Sequence, residues 1–82
     1  MLFRSMDVEE HRKITGVRIK ELRESRSWSK AELANRLGMK SYTSVTKWEN
    51  GSNLPRGFEL IKLAEMFEVS TDYILGLSNN RK

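Results

Sequence analysis

Cysteine is absent from the 82 residues, and histidine occurs once, as His11. Disulfides and thiolate metal sites are therefore excluded, and one imidazole cannot assemble a zinc centre alone. No apolar run approaches the roughly 20 residues that a bilayer-spanning helix needs, and the start MLFRSMDVEEHRK lacks the apolar core of a secretion signal. The expected compartment is the cytoplasm, with no membrane contact. Proline occurs once, at Pro55. There is no strand pattern, linker, repeat or low-complexity tract. The fold must rest on packing, as one small domain whose core is too small to hold a deep catalytic pocket as well. Acidic residues are scattered among basic ones, so an enzyme is disfavoured and no cofactor is expected.

Acidic charge is short in only one part of the chain. Residues 14–56 hold nine basic and four acidic groups, against three and three in residues 1–13 and three and four in residues 57–82. A surplus placed there suits a phosphate-binding surface, although charge alone does not separate that from a few solvated lysines.

Within the basic part, Ser29 to Gly51 (SKAELANRLGMKSYTSVTKWENG) reads as two short helices joined by a tight turn. Ser29 with Glu32 three residues later predicts a capping box, and Ala31, Leu33, Ala34 and Leu37 recur on one face. Gly38 then supplies a residue tolerant of left-handed backbone. Ser41 is the next cap, after which Val45 and Trp48 share a face while Tyr42, Thr43, Thr46 and Lys47 lie elsewhere. The second helix is thus apolar underneath and polar outside.

Around this pair, Ile14, Val17, Ile19 and Leu22 predict an amphipathic first helix to about Arg26, with Gly16 weakening its start. Asp7 and Glu10 could cap an earlier start, so residues 1–13 read as a helix extension, a frayed end or an arm. Trp28 reads as core. Gly51 to Arg56 is a loop, and Leu60, Ile61, Leu63, Ala64 and Phe67 stripe a fourth helix from about Gly57 to Glu68. Ser70 caps a short fifth helix that Gly76 ends, and residues 78–82 read as a frayed tail. Five helices with short connections predict a compact all-α bundle over residues 14–77.

These residues resemble the phage repressor and Cro (Xre-type) helix-turn-helix family of DNA-binding proteins. Leu33-Ala34, Gly38, Val45 and Trp48-Glu49-Asn50-Gly51 match its LA…G…I/V…WENG pattern, and Arg18 to Arg23 match its RIKELR helix. Two departures stand out. Lys30 replaces the usual Gln, and Val45 lies seven residues after Gly38 where the family has six, so the turn around Met39 and Lys40 is longer by one.

The resemblance implies a λ-repressor-like domain that sets its second motif helix in the major groove of double-stranded DNA. Base contacts would fall to Tyr42, Thr43 and Lys47, with Ser41 and Ser44 beside them. Phosphate contacts would fall to Lys30, Asn50, Asn53 and Arg56, and Lys40 in the lengthened turn is a further candidate. Arg23 and Glu49 occupy positions that form an internal ion pair in the family. The implied role is transcriptional regulation, as a repressor, with a protein antagonist or toxin as a further partner.

One recognition helix reads only a few base pairs, so a domain of this size needs a second copy to be specific. Phe58, Tyr73, Ile74 and Leu77 are more apolar residues than two short helices need for their core, and they predict a homodimer contact, although core packing explains Ile74 equally well. The competing expectation is an interaction adaptor or antitoxin that keeps the fold and uses the same residues to hold a protein partner.

Overall fold

Helix α1 (Val8–Ser25) opens on a reciprocal cap. Asp7 Oδ1 accepts from the Glu10 amide at 2.9 Å, and the Glu10 carboxylate accepts from the Asp7 amide at 3.1 Å. In this computed structural model, which describes residues 7–82, the segment from Val8 onward is therefore helix extension, while residues 1–6 of the expected arm lie outside the described residues. The buried stripe of α1 is Thr15, Gly16, Ile19, Leu22 and Arg23. Val17, expected on that stripe, is 56% exposed. It follows Gly16 by about 100° around the helix, and Gly16 is the residue that faces inward.

Gly16, expected at the start of this helix, lies in its interior because the helix already opens at Val8, and it is buried there. A Cβ at this position would stand 2.5 Å from the Trp48 carbonyl oxygen and 2.8 Å from that of Glu49. Absence of a side chain lets α1 pass against the end of α3, where only glycine fits.

The other helices are α2 (Lys30–Arg36), α3 (Thr43–Glu49), α4 (Gly57–Phe67) and α5 (Thr71–Leu75), and no strand occurs among the described residues. Their shared core joins Ile19 and Leu22 of α1 to Leu33 and Ala34 of α2, Val45 and Trp48 of α3, Leu63 and Phe67 of α4, and Tyr73 and Ile74 of α5. Each large side chain so buried contributes about 1.5–3 kcal/mol. Trp28 is half-buried against Phe67, with ring centroids 5.6 Å apart, and the Arg36 guanidinium covers its ring at 4.2 Å.

Two expectations for α4 and α5 are corrected. Ile61 is 55% exposed, because the inward stripe of α4 runs through Leu60, Leu63, Ala64 and Phe67. Tyr73 and Ile74 are 7% and 0% exposed, so they are core residues and leave Phe58 and Leu77 as the exposed members of the expected apolar contact. The tail is not loose either. Arg18 donates to the carbonyls of Tyr73 and Ser78 and to Asn79 Oδ1, and the Ser70 amide donates to the Arg81 carbonyl. Arg18 and Arg81 both lie over the Tyr73 ring.

Candidate nucleic-acid interface

Helix α2 starts at Ser29, whose hydroxyl accepts from the Glu32 amide at 3.0 Å. Only this half of the expected capping box forms, because the Glu32 carboxylate pairs with Arg36 one turn later at 2.7 Å. The helix closes as the Gly38 and Met39 amides return to the carbonyls of Asn35 and Ala34, with Gly38 at φ 79°. The lengthened turn then uses Met39 as a partly buried peg on the core and leaves Lys40, Ser41 and Tyr42 exposed.

Helix α3 begins one residue later than the Ser41 cap implied. Tyr42 is its N-cap and makes no side-chain cap bond. The Ser41 hydroxyl accepts from the Thr43 amide at 3.4 Å and donates to Thr43 Oγ1 at 3.2 Å. Val45 and Trp48 lock the underside, at 0% and 2% exposure. Of the sequence-derived base-reading set, Tyr42, Thr43 and Lys47 are exposed with Ser41 beside them, and Ser44 is half-buried. One end of the short helix thus presents a phenol and hydroxyls, and its next turn an ammonium.

What fixes this helix against the domain is a fork. Arg23 Nε and Nη2 donate to the two carboxylate oxygens of Glu49 at 2.7 and 3.0 Å, and Nη1 donates to the Trp28 carbonyl at 2.8 Å. Both side chains are nearly covered, at 9% and 5% exposure. Hydrogen bonding to Glu49 raises the Arg23 pKa above its ordinary value against the opposing effect of burial, so the group stays charged throughout the working pH range. A single guanidinium therefore joins α1, the α1–α2 turn and α3.

The phosphate-contact candidates divide into three places. Lys30 and Asn50 line one open concavity between α1, α2 and α3, together with Lys20, Arg23, Glu24, Thr46 and Glu49. Asn53 and Arg56 are exposed in and after the loop that follows α3, where the Arg56 amide donates to Glu59 at 2.8 Å. Lys40 is exposed in the turn before α3. Sequence reasoning missed Lys20 and Thr46 in the concavity. Lys20 was legible in principle, since it precedes Arg23 by three residues and so shares its face of α1.

The family model for helix-turn-helix proteins, HTH_3, matches residues 19–74. The chain belongs to this helix-turn-helix family. The match is of Xre/Cro type and covers α2, α3 and α4 whole, together with the last part of α1 and most of α5. No curated protein matches the chain. Among solved structures, the helix-turn-helix domain is similar to one described as a hypothetical transcription factor, NHTF, from Neisseria. The two share 21% identity and a TM-score of 0.71 over 92% of this chain and 85% of that one. At that identity the likeness speaks for the fold. No helix among the described residues is long and apolar enough to cross a membrane, and the helix-turn-helix assignment makes a DNA-binding regulator the class that fits the chain.

Proposed function

We propose that the chain is a sequence-specific repressor that inserts α3 into the major groove of a pseudo-palindromic operator and binds it as a homodimer. The observation that carries this reading is the division of α3 into a fully covered Val45–Trp48 underside and an exposed face of Tyr42, Thr43 and Lys47. Lys47 can donate to guanine O6 or N7, Thr43 can bond a base edge or touch a thymine methyl, and Tyr42 can pack on a base or donate to phosphate. Lys30, Asn50, Asn53, Arg56 and Lys40 supply the register-setting contacts to phosphate in this reading.

The test is selection of bound duplexes from a random pool, followed by titration of the consensus. Lys47→Ala should lose about 1–3 kcal/mol on the selected site and little on random duplex, because it reads a base. Equal losses on both would remove Lys47 from the reading face.

A second reading is favoured by one observation, the exposure of Phe58, Ile61 and Leu77 at 61%, 55% and 63%. Such residues also suit a protein antagonist or toxin, in which case the chain is an adaptor or antitoxin and its binding to random duplex depends only weakly on salt.

A further inference from the structure

Between Gly38 and Val45 one apolar side chain packs on the core, that of Met39, which is partly buried there. Lys40, Ser41, Tyr42 and Thr43 are exposed, and Ser44 is half-buried. The Met39 amide donates to the Ala34 carbonyl at 2.9 Å, which fixes the backbone behind it. Ahead of it the local bonds are weak. The Tyr42 N-cap makes no side-chain cap bond, and the Ser41 hydroxyl meets the Thr43 amide only at 3.4 Å. The far end of α3, by contrast, is held by the Arg23–Glu49 fork and by the close approach of Gly16 to the Trp48 and Glu49 carbonyls. The end of α3 that carries Tyr42 and Thr43 therefore depends on the seat of Met39 for its anchorage.

That anchor is also a reactive group. The chain has no cysteine to intercept an oxidant, which leaves its methionine thioethers as the sulfur a peroxide can oxidise. Met1 and Met6 lie outside the described residues. Met66 packs on the core from within α4, where backbone bonds of the helix hold its position. Met39 sits in irregular backbone, where the side chain itself positions the chain, and its partial burial leaves a small oxidant access. A sulfoxide left on an apolar surface without a hydrogen bond is unfavourable, so the oxidised side chain turns out to water and the peg is lost.

We propose that Met39 is a modification site, at which a hydroperoxide converts the thioether to the sulfoxide and so frees the start of α3 and weakens its reading of DNA. The sulfur lone pair attacks the outer peroxide oxygen, and an S–O bond forms as the O–O bond breaks. The proton on the transferred oxygen passes to the leaving oxygen, which departs as water or an alcohol. Sulfur thereby gives up an electron pair, and the peroxide is reduced by it. The consequence for DNA rests on the reading proposed above, whereas the modification and the loosened turn do not.

The experiment treats the full chain with hydrogen peroxide and maps the oxidised peptides over time by mass spectrometry. Affinity for the selected operator, trypsin cleavage after Lys40 and thermal unfolding are followed in parallel. Affinity should fall about tenfold in step with oxygen gain at Met39, and cleavage after Lys40 should speed up several-fold while unfolding stays cooperative. Met39→Leu conserves volume and has no thioether, so it should bind like the parent and keep its affinity under peroxide. Met66→Leu should still lose affinity. Met39→Gln, polar and of similar length, should reproduce the oxidised chain without peroxide. A Met39→Leu chain that loses as much affinity as the parent overturns the proposal, as does a loss that follows oxidation of another methionine in time. If Met39→Leu does not fold, the parent time course and Met66→Leu decide by the same criteria. A parent chain that binds no duplex removes the DNA reading, and unchanged cleavage after Lys40 once Met39 is oxidised then overturns the site itself.

Discussion

Gly16 of α1 and Trp48 of α3 meet backbone to backbone, and a Cβ on Gly16 would stand 2.5 Å from the Trp48 carbonyl oxygen. The obstacle is a main-chain atom, which no rotamer change can remove. Gly16→Ala should therefore destabilise the domain by about 1–3 kcal/mol, the usual cost of overpacking, although alanine is the better helix former. Urea unfolding measures the loss. Any folded fraction should also bind DNA more weakly, since α3 must shift to admit the methyl group.

The Arg23–Glu49 fork makes a second prediction. Glu49→Gln preserves shape and leaves the covered Arg23 charge with only the exposed Glu24 carboxylate, 4.0 Å away, as an ionic partner, at a cost of about 3 kcal/mol in unfolding free energy. The pH dependence follows from the raised Arg23 pKa. A raised value contributes stability that is complete below the ordinary pKa and is lost only as pH climbs through the raised one. Arg23 therefore contributes no change in stability between neutral and moderately alkaline pH, which a urea series across that range would show.

Thr15 is 0% exposed, and its Oγ1 has no hydrogen-bond partner among the described residues. An unsatisfied buried hydroxyl costs about 1–3 kcal/mol, and valine has the same branched shape without it. Thr15→Val should stabilise the domain by about 1 kcal/mol. A destabilised variant would show that the hydroxyl is satisfied in solution.

For assembly, the exposed apolar positions give the prediction. If Phe58, Ile61 and Leu77 form the two-fold contact, Ile61→Glu and Leu77→Glu should abolish binding to the selected operator while thermal unfolding stays cooperative. The operator should then carry two inverted half-sites about 34 Å apart. A consensus with one unrepeated half-site, bound by one chain per duplex, would sink the homodimer.

The helices of the motif were legible because their signals are local. Ser29 caps α2, Gly38 ends it, and Val45 with Trp48 marks the inner face of α3. What could not be read were choices made by packing across the chain. Gly16 looks like a helix weakness until the α3 carbonyls are placed over it. Ile61 fits an apolar stripe by spacing, and Tyr73 looks spare for two short helices, but α4 turns Ile61 outward and Arg18 covers Tyr73. Asn50 was found by its place in the WENG run. The hydrogen bonds that its Oδ1 accepts from the Ser52 amide and hydroxyl were invisible to that pattern.

Arg18 grips carbonyls on both sides of Leu77, those of Tyr73 and Ser78, while the Leu77 amide returns to Asp72. The most exposed apolar side chain at this end therefore projects from backbone that is already immobilised. Whatever packs on Leu77 meets a preformed knob and has little chain entropy to remove there. Loosening the grip, as Arg18→Met would, should slow productive encounter with such a partner before it alters the contacts of the finished complex.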